Sequence, residues 1–354
     1  MFVLDSHCDT PSQILRGRDL AKDNELAHID IPKLKRGGVD AAFFALYIPA
    51  DLEEEEAYEY ACRLYRCVTE MIEANSDHVA LATSQKEAYE NRAKGKFSVF
   101  LGLENGSAIG NSSERLKEFH NWGVRYITLC HSKDNQICDS CAGENTWGGL
   151  SPFGREIVSE MNSLDILVDV SHLSDASFYD VLKYSSKPVV ATHSCCRALS
   201  DHPRNMTDDM IRALAEKDGV IQINFYPLFL DVRFNDVLSA SGLVESGDAI
   251  EAEFIADPLN ENKRNAWLEI LSKLQQLPRP SYTMIADHID HVVGLVGIDH
   301  VGLGSDFDGI GVTPEGMEDA SRVPELFDEL RKRGYSDSDL EKIASANFFS
   351  VLSC

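Results

Sequence analysis

The chain begins MFVLDSHCDTP, so that His7 and Asp9 follow directly on the apolar run Phe2-Val3-Leu4. Side chains two apart on a strand point to the same side, and an imidazole and a carboxylate facing one place suit zinc or a similar divalent ion. Read alone, the pair is more simply a strand cap hydrogen-bonded to its loop. Five further apolar runs end in the same manner. SVFLGLEN ends at Glu104, RYITLCHS at His131, ILVDVSH at His172, VVATHS at His193, and VGLGSDFDG at Asp306 and Asp308. One histidine at a strand end is as readily a satisfied core residue as a ligand. Six such ends together point to a metal site.

The candidates outnumber the three protein ligands of a single catalytic zinc, which suggests two ions. Glu104 could bridge them, one oxygen to each, with His7 and Asp9 completing one site and His172 and His193 the other. Two ions about 3.5–4 Å apart share a hydroxide and polarise the carbonyl it attacks, which is hydrolytic machinery. Asp306 is placed to carry a proton from the attacking water to the leaving group. Asp308 lies two residues on and shares its side if the strand period holds, so the choice of Asp306 rests on its coming first after the apolar run. His131 has no place among the ligands, and its imidazole suits a hydrogen bond to the tetrahedral oxyanion. Arg204, in HPRNMTDD, suits a substrate carboxylate or a surface salt bridge, and the residues alone favour the salt bridge.

These groups need strands that end on one face. Short apolar or β-branched runs predict eight strands, at 2–4, 41–48, 98–103, 125–130, 166–170, 189–192, 220–225 and 301–304. Helical patterns lie between most of them, at 53–74, 113–121, 153–163, 174–184 and 208–217, with Ser174 and Asp208 as expected N-caps. A helix at 282–296 precedes the last strand, and helices at 323–333 and 338–345 close the chain around Gly334 as a stop. This alternation predicts an α/β fold, a (β/α)8 TIM barrel with a binuclear metal centre at the C-terminal ends of its strands. An open doubly wound sheet is the runner-up, weakened because no GxGxxG follows the first strand. The segment 226–280 breaks the rhythm, with a helical pattern at 265–276, several prolines and no clear strand. We expect one barrel domain over 1–354 with an insertion at about 226–280, over the mouth or side of the barrel.

A net charge of −25 over 354 residues argues against a nucleic-acid partner, which would need a basic surface. No apolar stretch approaches the length of a membrane helix. The start lacks the basic and apolar regions of a signal peptide, and the terminal FFSVLSC makes no CaaX box at Cys354. Nine cysteines without an export signal read as reduced thiols, so the expectation is a cytoplasmic protein with no membrane attachment. The lone CxxC at Cys138–Cys141 has no second pair to match it and reads as structural, and Cys195-Cys196 as packing.

The stretches DSHCDTP, HIDIPKLKRGGVDAAFFALYIP, GLENG, GVRYITLCHS, GLSPFGREIVSEMN, DVSHLS, THSCCRAL, HPRNMTDD, INFYP, DHIDHV and VGLGSDFDG, in this order along nearly the whole chain, resemble the membrane (renal) dipeptidase family, peptidase family M19 of the amidohydrolase superfamily. The resemblance implies a (β/α)8 barrel with two zinc ions, His7 and Asp9 on one, His172 and His193 on the other, and Glu104 between them. It implies His131 at the substrate carbonyl oxygen, Arg204 at the terminal carboxylate of a dipeptide, and Asp306 as acid and base, which reverses the salt-bridge reading of Arg204. It also implies dipeptide substrates, including those with a D-residue at the C-terminal position, and a homodimer. Some relatives act on β-lactam or cysteinyl-glycine bonds. The chain departs from the animal members in lacking secretion and lipid-anchor signals and in a longer 226–280 segment.

Two other readings stand beside a dipeptidase. One is an amidohydrolase acting on a lactone, cyclic amide or N-acyl amino acid. Such relatives often bridge their metals with a carbamylated lysine, and no lysine ends a strand here. The other is a metal-binding protein without catalysis, which would have no need to keep Asp306, His131 and Arg204.

Overall fold

Nine parallel strands form in the computed structural model, which describes residues 1–352; Cys354 lies outside the described residues. They are β1 (Leu4–Cys8), β2 (Ala41–Tyr47), β3 (Val79–Leu81), β4 (Phe97–Glu104), β5 (Val124–Thr128), β6 (Leu167–Asp169), β7 (Val190–Ser194), β8 (Val220–Ile223) and β9 (Val301–Leu303). Eight are hydrogen-bonded in the order β1-β2-β4-β5-β6-β7-β8-β9. The ring closes where the amide of Asp306 donates to His7 O at 3.0 Å and that of Asp9 to Phe307 O at 2.8 Å. Asp5 fastens the same seam by accepting from the Ser305 amide at 2.8 Å. The architecture is the expected (β/α)8 barrel. β3 was not foreseen: it is three residues long and pairs with the first residues of β4 outside the ring, too short for a periodic signal.

Apolar side chains fill both faces of the strands, as parallel sheets covered by helices require. Leu4, Phe43, Phe100, Tyr126, Leu167 and Val190 meet inside the barrel, plugged from below by Phe348 and Phe349 of the C-terminal helix Asn347–Leu352. Phe44, Val99, Leu101 and Ile127 face outward into the layer under the helices. Helices form near the expected positions. The helix Asp175–Tyr184 is capped by Ser174 as predicted, whereas Asp208–Ala215 is capped by Thr207, whose hydroxyl accepts from Met210 N. The chain between β8 and β9 carries more helix than its sequence suggested. Besides the helix Glu261–Gln275 it forms Pro227–Leu230, Phe234–Ser241 and Leu243–Ala256, around a small core of Phe234, Leu238, Ile270 and Leu274.

Two irregularities decide what the mouth presents. Between Asp5 and Cys8, β1 advances three residues against two on β2, and between Ala191 and Ser194, β7 advances three against two on β8. An extra residue of this kind re-aims the side chains that follow it. Leu4 points into the barrel, and simple alternation would send His7 to the opposite face. The irregularity brings His7 and Asp9 inward together.

Candidate functional site

Glu104, the last residue of β4, lies at the centre of the mouth and is 3% exposed. Its two oxygens face different partners. Oε2 is 3.4 Å from His7 Nε2, while Oε1 is 3.2 Å from His172 Nε2 and 3.5 Å from His193 Nε2. The Nε2 atoms of His172 and His193 are 2.9 Å apart. His7 Nε2 lies 3.4 Å from Asp9 Oδ2 and has no hydrogen-bond partner although buried. Donor atoms of His7, Glu104 and His193 fall within 4.8 Å of one another, as do those of Glu104, His131 and His172 and those of His7, Asp9 and Asp306. The structure therefore assembles all seven of these residues at one place.

This donor set fits divalent cations. Burial disfavours a charged His7, but Glu104 and Asp9 beside it outweigh that and hold its pKa well above the usual histidine value. The same field calls for positive charge at that point, which a divalent ion would supply while leaving the imidazole neutral. Burial, reinforced by Arg204, holds His172 well below the usual range, and burial does the same for His193, so both offer lone pairs.

The tautomer of His193 is fixed from behind. Asp169, at the end of β6, accepts from the hydroxyls of Thr128 and Thr192 at 2.6 Å each and from the amides of Ser171 at 3.0 Å and Thr192 at 2.9 Å. With the Thr192 proton committed to Asp169, the Thr192 oxygen, 2.8 Å from His193 Nδ1, can only accept. Nδ1 then carries the hydrogen and Nε2 presents a lone pair to the cluster. On the other side the Tyr126 hydroxyl sits 2.8 Å from His7 Nδ1. Neither Tyr126 nor Asp169 and Thr192 was singled out in the sequence, because each lies within a strand among core residues.

Asp306 and Asp308 separate. Asp306 accepts from Asn224 Nδ2 at 2.9 Å, and burial, followed by the charge of Asp9, pushes its carboxyl up to about 6. Asp308 turns away: its carboxylate takes hydrogen bonds from Arg18 at 2.6 Å and Thr10 at 2.8 Å, and it ties the loop after β9 to the N-terminal chain. Asp306 and Asp308 both have positive φ, +62° and +68°, as does His172 at +71°. These are costly conformations for residues other than glycine, and such conformations concentrate at functional sites. For His172 a backbone bond from the Cys141 amide to its carbonyl at 2.8 Å holds the strained turn. Asn224 lies directly after β8 but inside the run 220–225 that reads as strand, so the strand-end pattern does not single it out.

His131 stands at the rim, its ring 4.2 Å from that of His172 and edge-on to Tyr47 at 4.9 Å. Burial, then Arg204 and His7, lower its pKa to about 3, so it is neutral, and its Nδ1 is buried without a partner. Arg204 makes no carboxylate pair among the described residues. One guanidinium nitrogen donates to His193 O at 3.0 Å, the group lies over Phe229 at 5.3 Å, and its Nε is buried without a partner. Cys138 and Cys141 belong to the loop that braces His131 and His172 from outside: Ser140 Oγ donates to His131 O, and the Cys141 amide to His172 O.

The family profile described as membrane dipeptidase (peptidase family M19) matches residues 1–354. Dipeptidase aclJ of Aspergillus oryzae is 33% identical over 350 residues, which span 96% of this chain and 73% of that protein. Dipeptidase verJ of Clonostachys rogersoniana is 31% identical over 338 residues, spanning 92% and 76%. Among solved structures, the probable dipeptidase PvdM from Pseudomonas aeruginosa superposes with a TM-score of 0.84 at 27% identity, covering 99% of this chain and 94% of that one. A metallopeptidase from Rhodobacter sphaeroides, liganded with a phosphinate mimic of the dipeptide L-Ala-D-Ala, gives a TM-score of 0.81 at 26% identity over 100% and 99% of the two chains.

Proposed function

The chain belongs to the membrane dipeptidase family, peptidase family M19, a family of peptide-hydrolysing metalloenzymes, and we propose that it is a zinc-dependent dipeptidase that accepts L-Xaa-D-Xaa as well as L-Xaa-L-Xaa substrates. The observation that carries this reading is Glu104, whose two carboxylate oxygens face two different sets of imidazoles, as a group held between two ions must. His7 and Asp9 would hold one ion, His172 and His193 the other. Two such ions would supply an acidified water as nucleophile and polarise the scissile carbonyl.

The remaining work falls to side chains. Arg204, with a donor edge free of protein carboxylates, pairs with the substrate's terminal carboxylate and sets the distance from that group to the bond that is cut. This limits substrates to two residues, because a longer C-terminal extension would carry the carboxylate past the guanidinium. His131, neutral at working pH, donates its N–H to the carbonyl oxygen as charge develops there. Asp306, held by Asn224 and with its pKa near neutrality, takes a proton from the attacking water and delivers it to the leaving amine. The Rhodobacter sphaeroides neighbour, whose ligand mimics L-Ala-D-Ala, supports tolerance of a C-terminal D-residue. Incubation with L-Ala-L-Ala and L-Ala-D-Ala, with and without added zinc, tests the proposal. Zinc-dependent release of alanine is expected from both, and a broad dipeptide panel left intact by metal-loaded protein would refute it.

A further inference from the structure

Arg204 is held by very little of its own polar edge. One guanidinium nitrogen donates to His193 O at 3.0 Å, and Nε is buried without a partner. The ring of Phe229 lies 5.3 Å from the guanidinium carbon and covers one face of the group. An arginine side chain has several rotatable bonds, and a single hydrogen bond leaves most of that freedom in place. A ring against the face fixes the plane as well, because a guanidinium stacks on aromatic faces while its N–H edge stays open to an anion.

The ring is itself fixed relative to the Arg204 loop. Phe229 lies in the short helix Pro227–Leu230, which follows β8. The side-chain amide of Asn205, next in sequence to Arg204, donates to Ser200 O and to Phe229 O, both at 2.8 Å. Ser200 Oγ donates to Leu228 O at 3.2 Å. His288 joins the same two segments from behind, accepting from the Cys196 amide at 3.0 Å and donating to Leu230 O at 3.1 Å. His202 flanks the Phe229 ring at 4.8 Å, and Tyr226 meets it edge-on at 5.0 Å. These ties hold the loop and the helix as one piece, so the spacing of ring and guanidinium is set by the backbone.

We infer that Phe229 is the positioning residue of the carboxylate clamp, its ring holding the Arg204 guanidinium in the plane that receives the substrate's C-terminal carboxylate. The inference rests on the dipeptidase reading above, in which Arg204 takes that group. A clamp ordered before the substrate arrives loses less side-chain freedom on binding. The ring also keeps water from one face of the cation, which strengthens its pairing with a carboxylate. Phe229 acts through Arg204 and takes no part in bond making.

The test compares Phe229→Leu, which fills similar space without an aromatic face, with Phe229→Tyr, which keeps the ring. The substrate is L-Ala-D-Ala or L-Ala-L-Ala, whichever is cleaved faster, and the protein is zinc-loaded. Phe229→Leu should raise KM about 5–30-fold with kcat changed less than threefold, and Phe229→Tyr should stay within twofold of wild type in both. In an Arg204→Ala background, Phe229→Leu should change kcat/KM less than twofold, because the group it positions is gone. Both single variants should retain the wild-type metal content. An unchanged KM in Phe229→Leu overturns the inference. So does a fall in kcat as large as the rise in KM, a defect that Phe229→Tyr shares, or an equal loss in the Arg204→Ala background, each of which marks a ring that only fills space. Absence of hydrolysis by the zinc-loaded wild type refutes the dipeptidase reading, and this role falls with it.

Discussion

At the scale of single residues, the mouth gathers groups suited to cations, groups suited to substrate and groups that orient the others. Asp306→Asn keeps the shape and the contact with Asn224 but cannot accept a proton. It should retain both metal ions by elemental analysis while kcat falls about 10²–10⁴-fold. Loss of an ion would make Asp306 a ligand, which its place near His7 and Asp9 also permits geometrically. Arg204→Ala should raise KM for dipeptides sharply and spare any substrate whose C-terminus is amidated. Asp169→Asn disturbs the acceptor that fixes Thr192, and through it His193. Loss of such a partner typically costs about 10–100-fold in metal affinity, measurable by chelator competition. The convergence of these side chains was legible in the sequence, because each candidate ligand stands where an apolar run stops. The orienting residues were not. Thr192, Asp169 and Tyr126 sit inside runs that read as core, and only the fold shows that their polar atoms meet the backs of histidines.

At the scale of elements, strands and their irregularities do the aiming. The pairing of His7 with Asp9 on one side follows from alternation, but which side they face depends on the extra residue in β1, and an extra residue leaves no periodic trace in five residues of strand. The left-handed turns at His172 and Asp306 were equally hidden, since neither position carries the glycine that would announce one. Gly102 in β4 illustrates a constraint that composition does not reveal. A Cβ there would lie 2.2 Å from Tyr126 Cζ, so the missing side chain makes room for the ring whose hydroxyl meets His7. Gly102→Ala should cost roughly 1–3 kcal/mol of stability, read from denaturant midpoints, and should weaken metal retention by displacing Tyr126. The helices between β8 and β9 were only partly legible, because their small core shares few positions with the barrel and their apolar spacing is diluted by charge.

At the scale of the whole molecule, the barrel is completed by loops and helices that bury titratable groups outside the cluster at its mouth. None of the helices among the described residues is long and apolar enough to cross a membrane. His288, in the helix Thr283–Val296, is fully buried; its Nδ1 accepts from the Cys196 amide at 3.0 Å and its Nε2 donates to Leu230 O at 3.1 Å. Burial, against smaller opposing effects of the Leu230 carbonyl and Asp287, lowers its pKa from 6.5 to about 4. Above pH 6.5 both folded and unfolded states are neutral there. Between 6.5 and about 4 the unfolded chain takes up a proton that the native state refuses, so stability falls as pH falls, by about 3 kcal/mol at full effect. The urea midpoint should therefore drop between pH 7 and pH 4.5, and drop less in His288→Gln.

This mouth is proposed to hydrolyse dipeptides through two bound divalent ions. The most direct measurement is a titration of metal-stripped protein with zinc, following both bound metal and alanine release from L-Ala-D-Ala and L-Ala-L-Ala. Negligible hydrolysis is expected before addition, and full activity as the second equivalent binds. Undiminished hydrolysis by the stripped protein, or none when two ions are bound, would contradict the proposal.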